Sequence, residues 1–72
     1  MSAIERGAQV IVRTVDNRIE MRRATSGVIE GDDFLVVWVC TEEEWTSAAA
    51  MRRDPSAFPW PARDVDMANT NK

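Results

Sequence analysis

The chain contains no histidine, no tyrosine, one cysteine and one lysine, Lys72. Without histidine no imidazole is available to exchange protons near neutral pH. Cys40 alone can form neither an internal disulfide nor a cysteine–histidine zinc site within one chain. No apolar run approaches the roughly 18 residues that a membrane span needs. The start, Met1-Ser2-Ala3-Ile4-Glu5-Arg6, lacks the basic n-region and apolar h-region of a signal peptide, so we expect a cytoplasmic protein with no membrane association.

What is present is a small, well-mixed composition. The 72 residues allow one domain with a small core. With 29% charged and 44% hydrophobic residues, the balance is that of a folded soluble chain rather than a disordered tail. Nine basic and twelve acidic residues give a formal net charge of -3, which argues against non-specific attraction to nucleic acid or to an anionic membrane.

Ala8 to Val15 is rich in β-branched residues, and Asp16-Asn17 separates it from Arg18 to Arg23. The pattern predicts a hairpin with a two-residue turn. In that register Thr14 faces Ile19, Arg13 faces Glu20 and Val12 faces Met21. Val10, Val12, Thr14, Ile19 and Met21 then share a core face, and Arg13 and Glu20 form an opposite-charge pair on the wet face. Ala24 to Asp33, with Gly27 and Gly31 around the short apolar piece Val28-Ile29, reads as a loop with room for a bridge. Phe34 to Cys40, apolar without alternation, reads as a central strand covered on both sides.

Thr41 and Glu44 have the spacing of a capping box, and Glu42, Glu43 and Glu44 place negative charge at the positive end of a helix dipole. A helix is expected over residues 42–53, stopped by Asp54-Pro55, with Trp45, Ala48, Ala49 and the stem of Arg52 on one stripe. Phe58-Pro59-Trp60-Pro61 is expected to be an extended connector, because each proline removes a backbone donor and restricts the residue before it. Ala62 to Val65 suits a last short edge strand. The expected layout is an arm at residues 1–6, one domain over 7–66 and a frayed tail over 67–72.

This order of elements resembles a small SH3-like barrel. The wording of Gly31-Asp32-Asp33-Phe34-Leu35-Val36-Val37-Trp38-Val39-Cys40, of Glu44-Trp45 and of Pro59-Trp60-Pro61-Ala62-Arg63-Asp64-Val65 resembles small uncharacterised proteins encoded by actinobacteria and their phages. The resemblance implies a compact domain and carries over no catalytic or binding residues. The fold class expected is α+β: a β-rich domain of a hairpin plus a central strand, an SH3-like partial barrel, with one short helix.

Candidate sites are few. Glu30, Asp32 and Asp33 match no calcium-loop spacing, and Glu42, Glu43 and Glu44 are explained by the helix start, so no metal, cofactor or catalytic residue is assigned. Phe58 and Trp60, large aromatics held by prolines, either close the core or anchor a partner. Arg13, Arg18, Arg22 and Arg23 gather on the hairpin, where guanidinium groups can follow a phosphate backbone. The function expected is a non-enzymatic protein-interaction module, phage-encoded, acting on a host or viral protein or by self-association. The alternative is a nucleic-acid-binding accessory protein that uses the arginine-rich hairpin.

Overall fold

A computed structural model describes residues 4–68. Five antiparallel strands and one helix make an α+β domain: β1 (Gln9–Arg13), β2 (Ile19–Glu30), β3 (Leu35–Cys40), α1 (Glu42–Met51), β4 (Phe58–Pro61) and β5 (Val65–Met67). A 3-10 turn, Ala62–Asp64, joins the last two strands. The sheet order is β4-β3-β2-β1-β5, so β4 and β5 are its edges.

The sheet curls strongly. Only four residue steps separate Pro61, the end of β4, from Val65, the start of β5, and they reach at most about 14 Å. Five strands laid flat would hold these edges about 19 Å apart. The core shows the same curl: Val10 and Val12 of β1, Ala24 of β2, Val37 and Val39 of β3 and Val65 of β5 form one buried cluster. The largest fully buried side chains are valines and Cys40, so this is a core of small residues.

The hairpin forms one residue out of the expected register. Arg13 faces Ile19, Val12 faces Glu20 and Ile11 faces Met21. The cause is the turn. Within the turn Asn17 alone has a positive φ, 66°. Its amide donates to the Thr14 carbonyl (2.9 Å) and the Thr14 amide donates to the Arg18 carbonyl (2.8 Å), closing a three-residue loop of Val15, Asp16 and Asn17. The Arg18 amide also donates to the Thr14 hydroxyl at 3.0 Å. Because side chains alternate along a strand, the slip turns β2 over. Ile19 (59% exposed) and Met21 (47%) face outward, while Glu20 and Arg22 share the side of Val10 and Val12. The expected Arg13–Glu20 pair does not form; Arg13 donates to the Asn17 side-chain carbonyl and Glu20 accepts from Arg22.

The segment expected to be a loop, from Ala24 onward, continues β2 as far as Glu30. The β2–β3 register shifts between Ala24 and Val28. There the Thr25 hydroxyl donates to the Trp38 carbonyl (3.1 Å) and the Trp38 amide donates to the Ser26 hydroxyl (3.1 Å), so side chains replace ladder bonds. A bulge of this kind bends its strand, which is how β2 pairs with β1 at one end and β3 at the other.

Helix α1 starts as expected, with the Thr41 hydroxyl accepting from the Glu44 amide at 3.1 Å. The Glu44 side chain does not complete the box; it accepts from Arg53 and from the Ser56 amide, tying the helix start to the chain leaving the helix. Ala48 is buried, but Ala49 and Arg52 are exposed and Trp45 is half-buried, so the apolar stripe is narrower than expected. The helix ends at Met51, because Arg52 adopts a left-handed conformation (φ 56°, ψ 44°) with its amide donating to the Ala48 and Ala49 carbonyls. A side chain in that region costs about 1 to 2 kcal/mol, part of which glycine returns as backbone entropy lost on folding. Arg52→Gly is expected to stabilise the domain by about 0.5 to 1 kcal/mol in urea denaturation, a gain that would be missing if the cap relaxed to another conformation.

At the C-terminal side the extended connector is the edge strand β4, a place where prolines are tolerated. Residues 62–64 are the 3-10 turn and the last strand begins at Val65. Met67, expected in the tail, faces Val10 across the ladder. Residues 1–3 of the expected arm and 69–72 of the expected tail lie outside the described residues.

Candidate functional site

The outer face of β3 alternates with the core face, carrying Val36, Trp38 and Cys40. Over Cys40 lies α1, held by Arg23 of the neighbouring strand. The Arg23 guanidinium donates to the Glu42 carboxylate at 2.8 and 2.6 Å and to the Gly7 carbonyl at 2.8 Å, and it stacks 5.7 Å from the centre of the Trp45 ring. Arg6 stacks on the same ring at 5.5 Å. The Arg23 guanidinium, as the main cause, holds the Glu42 carboxyl below the usual glutamate range. Burial, foremost, and then the nearby Glu44 and Glu42 charges push the Cys40 thiol up, so it is an unreactive part of the interior.

Beyond the helix the same face is partly open, with Val36 buried and Trp38 exposed. Trp38, 37% exposed, faces Pro59 of β4, and Val36 faces Pro61. With Phe34 these residues floor a groove of about 610 Å³. Its far wall is the β2–β3 turn, which carries Glu30, Asp32 and Asp33. Gly31 makes the turn tight: its amide donates to the Phe34 carbonyl at 2.9 Å, and a Cβ at Gly31 would meet that oxygen at 2.7 Å. Among the described residues Glu30, Asp32 and Asp33 make no ion pair and no side-chain hydrogen bond. Asp16, Glu20, Glu42, Glu44 and Asp54 are paired with arginine, while Glu5, Glu43, Asp64 and Asp66, like the three of the turn, make no ion pair among the described residues. The Arg63 guanidinium lies 5.7 Å from the centre of the Phe34 ring.

The residues singled out in the sequence lie elsewhere. Phe58 and Trp60 face Val39 and Val37, on the inner side of the sheet. Trp60 packs against the core cluster, and its indole Nε1 donates to the Arg13 carbonyl at 3.0 Å. Phe58 sits at 5.9 Å from Trp60, ring centre to ring centre, and remains 40% exposed. The four hairpin arginines do not form one surface. Arg22 points to the inner side and pairs with Glu20 at 2.6 Å, whereas Arg23 points outward to Glu42. Arg18 approaches both Asp16 and Glu20, and Arg13 is engaged by Asn17. Arg53, just past the end of α1, pairs with Glu44 at 2.6 Å.

The groove residues carried a weak signal in the sequence. Pro59 and Pro61, two apart in an extended segment, must share a face, and the two-residue period of β3 puts Trp38 on the face opposite Val37 and Val39. What the sequence could not supply is that these two faces are the same one. Among the described residues no group of three cysteine, aspartate or glutamate side chains is placed to hold a metal ion, and no helix is long and apolar enough to cross a membrane. Compared with protein-family models, with curated proteins and with solved structures, the chain matches none.

Proposed function

We propose that the chain is a non-enzymatic protein-interaction module, an SH3-like partial barrel whose docking face is the groove beside Trp38 rather than the opposite face of the sheet, where Trp60 packs on the core beside a partly exposed Phe58. The observation that carries this reading is an apolar floor of Trp38, Pro59 and Pro61 left uncovered beside three carboxylates that have no internal partner among the described residues. Exposed apolar surface rimmed by polar groups is the usual mark of a contact site. The order β4-β3-β2-β1-β5, the strong curl and the 3-10 turn between the two edge strands support the partial-barrel description.

The groove suits binding better than turnover. The chain has no histidine, so the groove offers no imidazole to exchange protons near neutral pH. The nucleic-acid alternative asks four arginines to present together, and three of them are drawn to carboxylates on two faces.

The test is capture from nuclease-treated host lysate by the tagged protein and by Trp38→Ala, with circular dichroism confirming that the variant is folded. A protein retained at fixed stoichiometry by the wild type and lost with Trp38→Ala is the expected result. Capture that persists with Trp38→Ala, or that vanishes with nuclease, would overturn the assignment of the groove.

A further inference from the structure

Building on the interaction-module reading, we infer that the groove takes an extended segment of a partner protein that carries arginine beside an apolar residue. Three properties of the groove converge on that chemistry. First, its rim is acidic: Glu30, Asp32 and Asp33 line it and make no ion pair among the described residues, and Arg63, which lies over Phe34, makes none either. Second, it is rich in acceptors, with the Trp38 indole N–H as a donor on its floor. Besides the carboxylates, Pro59 and Pro61 leave the edge strand with carbonyls and no amide N–H at those positions, so a strand cannot add there by a full ladder. A guanidinium, with five donors and no acceptor, is the matching group.

Third, the groove offers aromatic faces. Arginine stacks on aromatic rings while its fork donates to a carboxylate, a combination that a compact, strongly hydrated ammonium meets less well. The protein already displays the contact, since Arg63 lies over Phe34. Trp38 between Pro59 and the turn supplies the apolar seat for the neighbouring side chain. The segment is extended because consecutive residues then alternate between the apolar floor and the acidic rim.

The three tryptophans make the test local. Trp38 lies in the groove, Trp45 on the helix and Trp60 on the inner side, so their indole N–H resonances report three separate places. The probes are acetyl-Arg-Leu-Arg-Leu-Arg-amide and its lysine and glutamate analogues, titrated into the full-length protein. The arginine peptide is expected to move the Trp38 indole resonance alone, with a Kd of about 0.1 to 1 mM, as befits a short flexible ligand. The lysine peptide should bind about fivefold more weakly, the glutamate peptide not at all, and about 0.5 M salt should remove most of the response. Asp32→Asn with Asp33→Asn should weaken the arginine peptide about tenfold while the other two indole resonances stay in place.

Equal response to the arginine and glutamate peptides, no response by about 1 mM peptide, or unchanged affinity in the double variant would each overturn the inference. A peptide-free dimer that dissociates in the double variant would put a second copy in the groove, and would overturn it equally. If Trp38-dependent capture of a protein persists while the arginine peptide fails, the arginine assignment falls and the interaction module stands. If capture does not depend on Trp38, the module reading is the one that falls.

Discussion

Trp60→Ala should remove about 3 to 5 kcal/mol of stability, the usual cost of truncating a large aromatic that packs on a core. A 72-residue domain has in total roughly 4 to 11 kcal/mol, so the variant should be largely unfolded or close to it. The expectation follows from what the indole spans. Arg13 belongs to β1 and Trp60 to β4, strands that a flat sheet would separate by three spacings, about 14 Å. Yet the indole reaches the Arg13 carbonyl at 3.0 Å while its ring packs on the valine cluster. The side chain therefore bridges the gap that the sheet leaves open. Trp60→Phe keeps most of the bulk and loses the donor, and should cost about 1 kcal/mol beyond the repacking of the ring. Urea denaturation followed by circular dichroism measures both. A loss below about 1 kcal/mol in Trp60→Ala would mean that the indole is not part of the core.

Arg23→Ala should cost about 2 kcal/mol, more than most surface changes, because one guanidinium joins three parts of the chain. Its side chain is 24% exposed, and it contacts the Glu42 carboxylate, the Gly7 carbonyl and the Trp45 ring together. Lysine cannot reproduce the fork, so Arg23→Lys should recover less than half of the loss.

The same contact sets the acid response. Glu42 is held below the usual 4.5 first by its hydrogen bond to Arg23, and Glu44 likewise by Arg53 and then by the Ser56 amide. A carboxyl that binds its proton less readily when folded adds stability above its unfolded pKa, and that stability is lost as pH falls through the lower, folded value. The wild type should therefore weaken as the pH drops below about 4.5, and Arg23→Ala should weaken less steeply. Unfolding curves at about pH 7 and about pH 3 test this; parallel losses in the two proteins would show that the Arg23–Glu42 contact does not govern the acid response.

Several local features were legible because they depend on neighbours in sequence. The Thr41 cap, the acidic first turn of α1 and the extended backbone at Pro59 and Pro61 all follow from backbone donors that must be satisfied or cannot exist. The hairpin was legible as a hairpin but not in register. A two-residue and a three-residue turn differ by one residue at Asn17, and only the pairing of Thr14 with Arg18 decides between them. The result was that Ile19 and Met21 were assigned to the core and Arg22 to the surface, the reverse of what forms. The continuation of β2 past Gly27 was hidden because Thr25 and Ser26 replace ladder bonds with hydroxyls, which composition alone marks as loop.

The candidate site divides in the same way. Sequence alone determined that this is a small α+β chain without imidazole, with a capped helix and with aromatics framed by prolines, because composition, caps and proline geometry are set within a few residues. Tertiary structure alone decided which aromatic faces out. Phe58 and Trp60 share the face of Val37 and Val39, where Trp60 packs on the core and Phe58 stays 40% exposed, and Trp38 is left on the opposite face beside the acidic turn. That choice rests on strand register and on the curl that brings β4 near β1, both set by contacts between residues far apart in the chain, which no local pattern encodes.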